Sequence, residues 1–151
     1  MTFQTALGNL AALTVTGIAN HYSMADVPDS LHRAQLPALL VMPVDTQEDS
    51  LFQESGRAFD GVAFSDGTKT VQYVTTHLLI VAPLQKGKGL GDHLPDLVTL
   101  IDNYVSALSD DVTLSGALEH PATVNIEPGI FKIGDTQFIG CAFRHRWTIA
   151  V

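Results

Sequence analysis

The stretch Gln137-Phe138-Ile139-Gly140-Cys141-Ala142-Phe143-Arg144-His145-Arg146-Trp147-Thr148-Ile149-Ala150-Val151 decides the fold. Ile139, Cys141, Phe143, His145, Trp147, Ile149 and Val151 fall on one side of a two-residue period. Gly140, Ala142, Arg144, Arg146, Thr148 and Ala150 fall on the other. Side chains of an extended chain alternate between faces, so this pattern predicts a long strand with one apolar face that must be covered. Upstream, Pro121–Glu127 alternates in the same way, with Ala122, Val124 and Ile126 against Thr123, Asn125 and Glu127. The Pro128-Gly129 that follows reads as a turn, which leaves Glu127 solvated.

Further back, Lys69–Pro83 carries apolar residues on both parities, among them Val71, Tyr73, Val74, Leu78, Leu79, Ile80 and Val81. Both faces of that strand need cover, which predicts a central position. Gly56–Phe64 reads as its hairpin partner. Asp66-Gly67 supplies the turn, because glycine takes the positive φ that a tight hairpin requires. Ala38-Leu39-Leu40-Val41-Met42, bounded by Pro37 and Pro43, predicts a short strand buried on both faces. His21–Pro37 reads as a loop with a short turn at Ser30–Arg33.

Two segments carry helical spacing instead. Phe3, Leu7, Leu10, Ala11, Thr14 and Ile18 predict a helix over Thr2–Ala19, ended by Gly17 and Asn20 and weakened by the β-branched run Thr14-Val15-Thr16. Leu94, Leu97, Val98, Ile101, Tyr104, Val105 and Leu108 form the stripe of a second helix. Asp92 is its predicted N-cap, and Pro95 falls in the first turn. The order α, β, β-hairpin, α, β-hairpin gives an α+β domain of two layers. A mostly antiparallel sheet of about five strands would carry two main helices on one face. No repeat, low-complexity tract or linker composition interrupts residues 1–151, so a single domain is expected.

Composition narrows the function. The 151 residues include 16 acidic and 8 basic side chains, a net charge of −8. An average field of that sign repels phosphate, which argues against general nucleic-acid binding. Hydrophobic residues make up 46% of the chain, too many for a disordered protein. No apolar run approaches the ~20 residues of a membrane span, and Met1-Thr2-Phe3-Gln4 does not open a signal peptide. Cys141 is the single cysteine, which excludes an internal disulfide and a multi-thiolate zinc site.

Tests for chemistry return little. The six histidines, His21, His32, His77, His93, His120 and His145, include no His-x-x-x-His pair for a metal on one helical face. Gly87-Lys88-Gly89-Leu90-Gly91 precedes a helix but matches neither a P-loop nor a dinucleotide fingerprint. No Gly-x-Ser-x-Gly nucleophile motif occurs. Cys141 and His145 read as core residues on an apolar face. No catalytic, cofactor or metal residues are therefore assigned, and no enzyme is expected. Arg144 and Arg146 project together from the polar face of the last strand. Gly140, Ala142 and Ala150 on that face would admit close approach, so a partner-facing patch is expected there as readily as a solvated face. Two loops are further contact candidates, since long loops need a partner or stay mobile: Leu84–Gly91 with Lys86 and Lys88, and Asp45–Ser55 with Glu48 and Asp49.

Several local features occur in a specific order. Leu36-Pro37-Ala38-Leu39-Leu40-Val41 follows an N-terminal helix. A long hairpin ends in His77-Leu78-Leu79-Ile80-Val81. Asp111-Val112-Thr113-Leu114-Ser115-Gly116 follows the second helix. The last strand is entered through Phe138-Ile139-Gly140-Cys141-Ala142. Together these resemble the tail terminator, or tail completion, proteins of long-tailed bacteriophages. Ser115 stands where that family's Asp-x-Thr-Leu-Gly-Gly has a frequent glycine. The resemblance implies a virion protein of the tail and neck, assembled in the host cytoplasm, with no active site. It implies a homo-hexameric ring that caps the tail tube, stops tube growth and joins the head-side connector. Genome DNA would pass through the ring without sequence-specific binding, and an acidic lumen would not trap it. Two other expectations stay open. One is a different neck or head-completion protein. The other is a small-ligand-binding α+β module with a cavity of roughly 300–1,000 Å³, for which His145 and Tyr104 are the chief polar groups on apolar faces.

Overall fold

A computed structural model describes residues 2–42, 63–64, 67, 69–85 and 90–151. It is an α+β fold with a mostly antiparallel sheet and two helices. The elements are α1 (Phe3–Ala11), β1 (Asn20–Tyr22), β2 (Ala38–Met42), β3 (Ala63–Phe64), β4 (Thr70–Pro83), α2 (Leu94–Ser109), β5 (Thr123–Ile133) and β6 (Thr136–Ala150). Short 3-10 turns occupy Arg33–Gln35 and Leu90–Asp92. The sheet runs β1-β2-β4-β6-β5, with β3 paired to β4 at Gln72 and Val71. Among the described strands only the β1–β2 pair is parallel.

The expected long strand is β6, and it lies between β4 and β5. It pairs with β4 from Thr70↔Ala150 to Pro83↔Phe138 and with β5 from Thr123↔Arg146 to Ile133↔Thr136. A bulge at Val81 shifts the β4 register, because Ile80 faces Gly140 while Ala82 faces Ile139. Gly140 is required there. A Cβ on it would lie 2.0 Å from the Leu79 carbonyl oxygen. The close approach expected over Gly140 and Ala142 is therefore internal: β4 backbone meets Gly140, and Ala142 is buried against Leu40, Leu78 and Phe138.

Burial follows strand parity. Odd-numbered residues of β2, β4 and β6 supply two apolar clusters. In one, Leu39, Leu79, Cys141 and Phe143 meet Leu97, Leu100 and Tyr104 of α2. In the other, Val41, Trp147 and Ile149 meet Ala6, Leu7 and Leu10 of α1. A third cluster takes the even-numbered Leu40, Leu78, Ile80 and Phe138 with Leu31 and Phe131. Each fully buried aliphatic or aromatic side chain contributes about 1.5–3 kcal/mol relative to exposure, so these clusters hold the sheet together.

Four local expectations are corrected. First, α1 stops at Ala11, well short of Ala19. Thr2 caps its start by accepting from the Thr5 amide at 3.1 Å. Beyond Ala11, Leu13, Val15 and Ile18 remain buried, but the chain turns through β-branched residues and Gly17 at φ +89°. Second, the His21–Pro37 loop contains the end of β1, and its tight turn lies at Arg33–Gln35, beyond Ser30. Third, His93 rather than Asp92 occupies the N-cap of α2, with Pro95 in the first turn as expected. Fourth, Pro128-Gly129 continues β5, and the chain reverses instead at Gly134 (φ +61°). Proline is tolerated because β5, among the described strands, pairs with β6 alone. Of the expected hairpin partner Gly56–Phe64, only Ala63 and Phe64 are described. The Asp66-Gly67 turn is described at Gly67 alone, which has φ +74°.

Candidate functional site

Among the described residues, a chain of hydrogen-bonded polar side chains lies inside the molecule. Strand parity sends His77 of β4 and His145 and Trp147 of β6 to the same face, and Tyr104 descends on them from α2. Trp147 Nε1 donates to His145 Nδ1 at 3.2 Å. The Tyr104 hydroxyl lies 2.6 Å from His145 Nε2 and 2.9 Å from His77 Nδ1. Indole N–H can only donate, so the neutral His145 ring accepts at Nδ1 and carries its proton on Nε2. That proton goes to the Tyr104 oxygen, and the Tyr104 hydroxyl proton then goes to His77 Nδ1. The chain of donors runs in one direction and ends at His77 Nε2. Neither that atom nor Thr75 Oγ1 has a hydrogen-bond partner among the described residues.

All four side chains of this relay are fully buried, which fixes their charge. Burial lowers the His145 pKa from 6.5 to about 3. Burial also holds His77 well below its ordinary value, aided by repulsion from His145 and His21. Tyr104 is raised well above its usual value by burial and by Cys141. Burial pushes the Cys141 thiol up to about 12, so it stays protonated at neutral pH. The relay is a neutral hydrogen-bonded layer between two apolar clusters. Among the described residues, no three His, Cys, Asp or Glu side chains come together as a metal site.

Of the expected contact residues, Lys86, Lys88, Glu48 and Asp49 lie outside the described residues. Arg144 and Arg146 do share the even-numbered face of β6. They differ in surroundings. Arg144 is largely covered, its Nε donating to the Glu127 carboxylate of β5 and its Nη1 to Thr76 Oγ1 at 3.2 Å. Arg146 is exposed. Glu127, expected to be solvated beside a turn, is half-exposed but ion-paired across the β5–β6 ladder.

Spacing alone missed a surface feature. The apolar stripe of α2 is wider than the sheet beneath it. Leu97, Leu100 and Tyr104 are buried, whereas Leu94, Val98 and Val105 are exposed, Val98 at 53% and Val105 at 47%. Beside them run exposed Ile126 and Ile130 of β5. A cleft of about 260 Å³ opens between the two elements, lined by Tyr104, Val105, Leu108, Val112, Val124 and Ile126 and backed by Phe143. Tyr104 and Phe143 stack at its base, with ring centroids 3.7 Å apart. The sequence signal was the breadth of the stripe, which runs from Tyr104 around to Val98.

No helix among the described residues is long and apolar enough to cross a membrane. Compared with known proteins, the chain matches no protein-family model and no curated sequence.

Proposed function

We propose that this protein is a non-enzymatic virion assembly protein of the tail-terminator type, forming a homo-hexameric ring that caps the tail tube and meets the head-side connector. One observation carries the assembly reading. Exposed apolar side chains stand on α2 (Leu94, Val98, Val105) and on β5 (Ile126, Ile130), Val105 and Ile126 line one cleft, and β5 pairs with β6 alone among the described strands. Large contiguous apolar patches on small proteins mark surfaces that a partner covers.

The terminator assignment within that class comes from the sequence resemblance, and the Asp111–Gly116 turn gives part of it a physical basis. Asp111 Oδ1 accepts from the Ser115 amide at 2.6 Å. Leu114, Ser115 and Gly116 all have positive φ. A frequent glycine at the Ser115 position is what such a backbone favours. The test is native mass across a concentration series. A hexamer is the expected result. A monomer that purified tail tubes fail to recruit into a ring overturns the proposal.

A further inference from the structure

The strip along α2 and β5 has a chemical character that identifies its occupant. Leu94, Val98 and Val105 lie along one side of α2, and the 11 residue steps from Leu94 to Val105 span about 16 Å, some three turns. The cleft beside them is apolar, with stacked aromatic rings at its base. From Leu90 through Phe131 the chain holds seven acidic residues and no Lys or Arg, and one of the seven, Glu127, is paired with Arg144 of β6. Asp102 follows the stripe on α2 and is exposed, as is Asp110 just past its end.

This combination argues against a symmetric contact of the face with itself. In a two-fold pairing the same patch meets its own copy. Asp102 and Asp110 would then meet a copy of a face that has carboxylates and no Lys or Arg along α2, in a protein already carrying a net charge of −8. Complementarity instead requires apolar anchors flanked by positive charge.

We infer that this face docks a cationic amphipathic segment of another protein. Its apolar side seats on Val98, Val105 and Ile126, and its Lys or Arg side chains lie over Asp102 and Asp110. The inference deepens the assembly reading, and it rests on that reading only in taking the strip as a protein contact. It does not require the ring.

The experiment uses the full chain and a synthetic Leu/Lys peptide of about 14 residues with helical amphipathic spacing, three to four turns long. One control is a scrambled peptide of identical composition, and a second replaces every Lys with Glu. Binding is followed by isothermal titration calorimetry, and native mass is recorded for the same samples. The amphipathic Leu/Lys peptide is expected to bind at one per chain and about tenfold or more tighter than either control. The double variant Val98→Asn with Val105→Asn changes no charge and alters only exposed positions. It is expected to erase the preference over the scrambled peptide. Asp102→Asn is expected to weaken binding and flatten its salt dependence.

Equal binding of the amphipathic and scrambled peptides overturns the inference, because net charge alone then explains the affinity. So does binding that the double Asn variant leaves unchanged. A homo-oligomer that the double variant dissociates also overturns it, since a second copy would then cover the strip. Peptide binding by a protein that forms no ring, either free or on purified tail tubes, refutes only the terminator assignment. A ring without peptide binding refutes only the docking inference.

Discussion

Acidification from about pH 7.5 to about pH 5 should remove roughly 2 kcal/mol of stability through His145 alone. Its pKa is 6.5 in an ordinary setting and about 3 in the fold. Between those values the unfolded chain takes up a proton that the folded protein refuses. Stability is therefore fully present above 6.5 and falls progressively as pH drops toward 3. At pH 5 the unfolded ring is protonated in a ratio of about 30 to 1 while the folded ring stays neutral, and 1.36 kcal/mol per decade gives the figure of about 2 kcal/mol. His77 is shifted in the same direction and adds to the loss. The assay is urea unfolding at both pH values, for the parent and for His145→Gln. Glutamine accepts and donates hydrogen bonds but does not titrate. The variant should be less stable at neutral pH yet lose about 2 kcal/mol less on acidification than the parent. Equal losses in the two proteins would refute the argument that His145 is held neutral by burial.

Three further outcomes follow from the geometry. Gly140→Ala should cost about 2 kcal/mol or more, because the new methyl meets the rigid Leu79 carbonyl; Gly129→Ala, whose Cβ meets only the Phe131 ring at 3.8 Å, should be close to neutral, and denaturant midpoints that fail to separate the two variants would contradict the close approach. Tyr104→Phe should lower stability by about 2–4 kcal/mol despite its near-equal volume, since it strands His77 Nδ1 and His145 Nε2 in the interior; an unchanged melting temperature would contradict the relay. Ser115→Gly should raise stability by about 0.5–1 kcal/mol, because φ +57° suits glycine and the backbone bond to Asp111 survives; a destabilised variant would show that the Ser115 hydroxyl, 3.2 Å from Asp111 Oδ2, outweighs the backbone term.

Much of the sheet was legible because strand parity needs no knowledge of partners. The alternation in β6 and the two-sided apolar content of β4 named a half-polar and a central strand directly. Errors arose where tertiary context outvoted local preference. Pro128-Gly129 has turn chemistry, but an edge strand tolerates a residue without an N–H, so β5 runs through it. The helical spacing read through Thr14 and Ile18 fails because the segment after Ala11 is not helical: Thr14 is exposed, and Leu13, Val15 and Ile18 enter the core instead. β1 gave no signal, since three residues paired in parallel carry no period. In the polar interior, His145 and Tyr104 were visible as polar groups on apolar faces. His77 was not, because its link to them depends on the register between β4 and β6 and on the position of α2 above both. The exposed half of the α2 stripe was hidden for the same reason: spacing gives the width of an apolar face and not the width of what covers it.

The place of β6 also sets the order in which the protein can be built on a ribosome. β4 and β5 are both synthesised before the strand that joins them, and neither pairs with the other. As they emerge, each leaves one strand edge that pairs only with β6. The central hydrogen-bond ladder forms only after Thr136–Ala150 has left the exit tunnel. Folding is thus deferred until β6 is free, and the nascent chain up to that point is the species most exposed to aggregation and most dependent on chaperones.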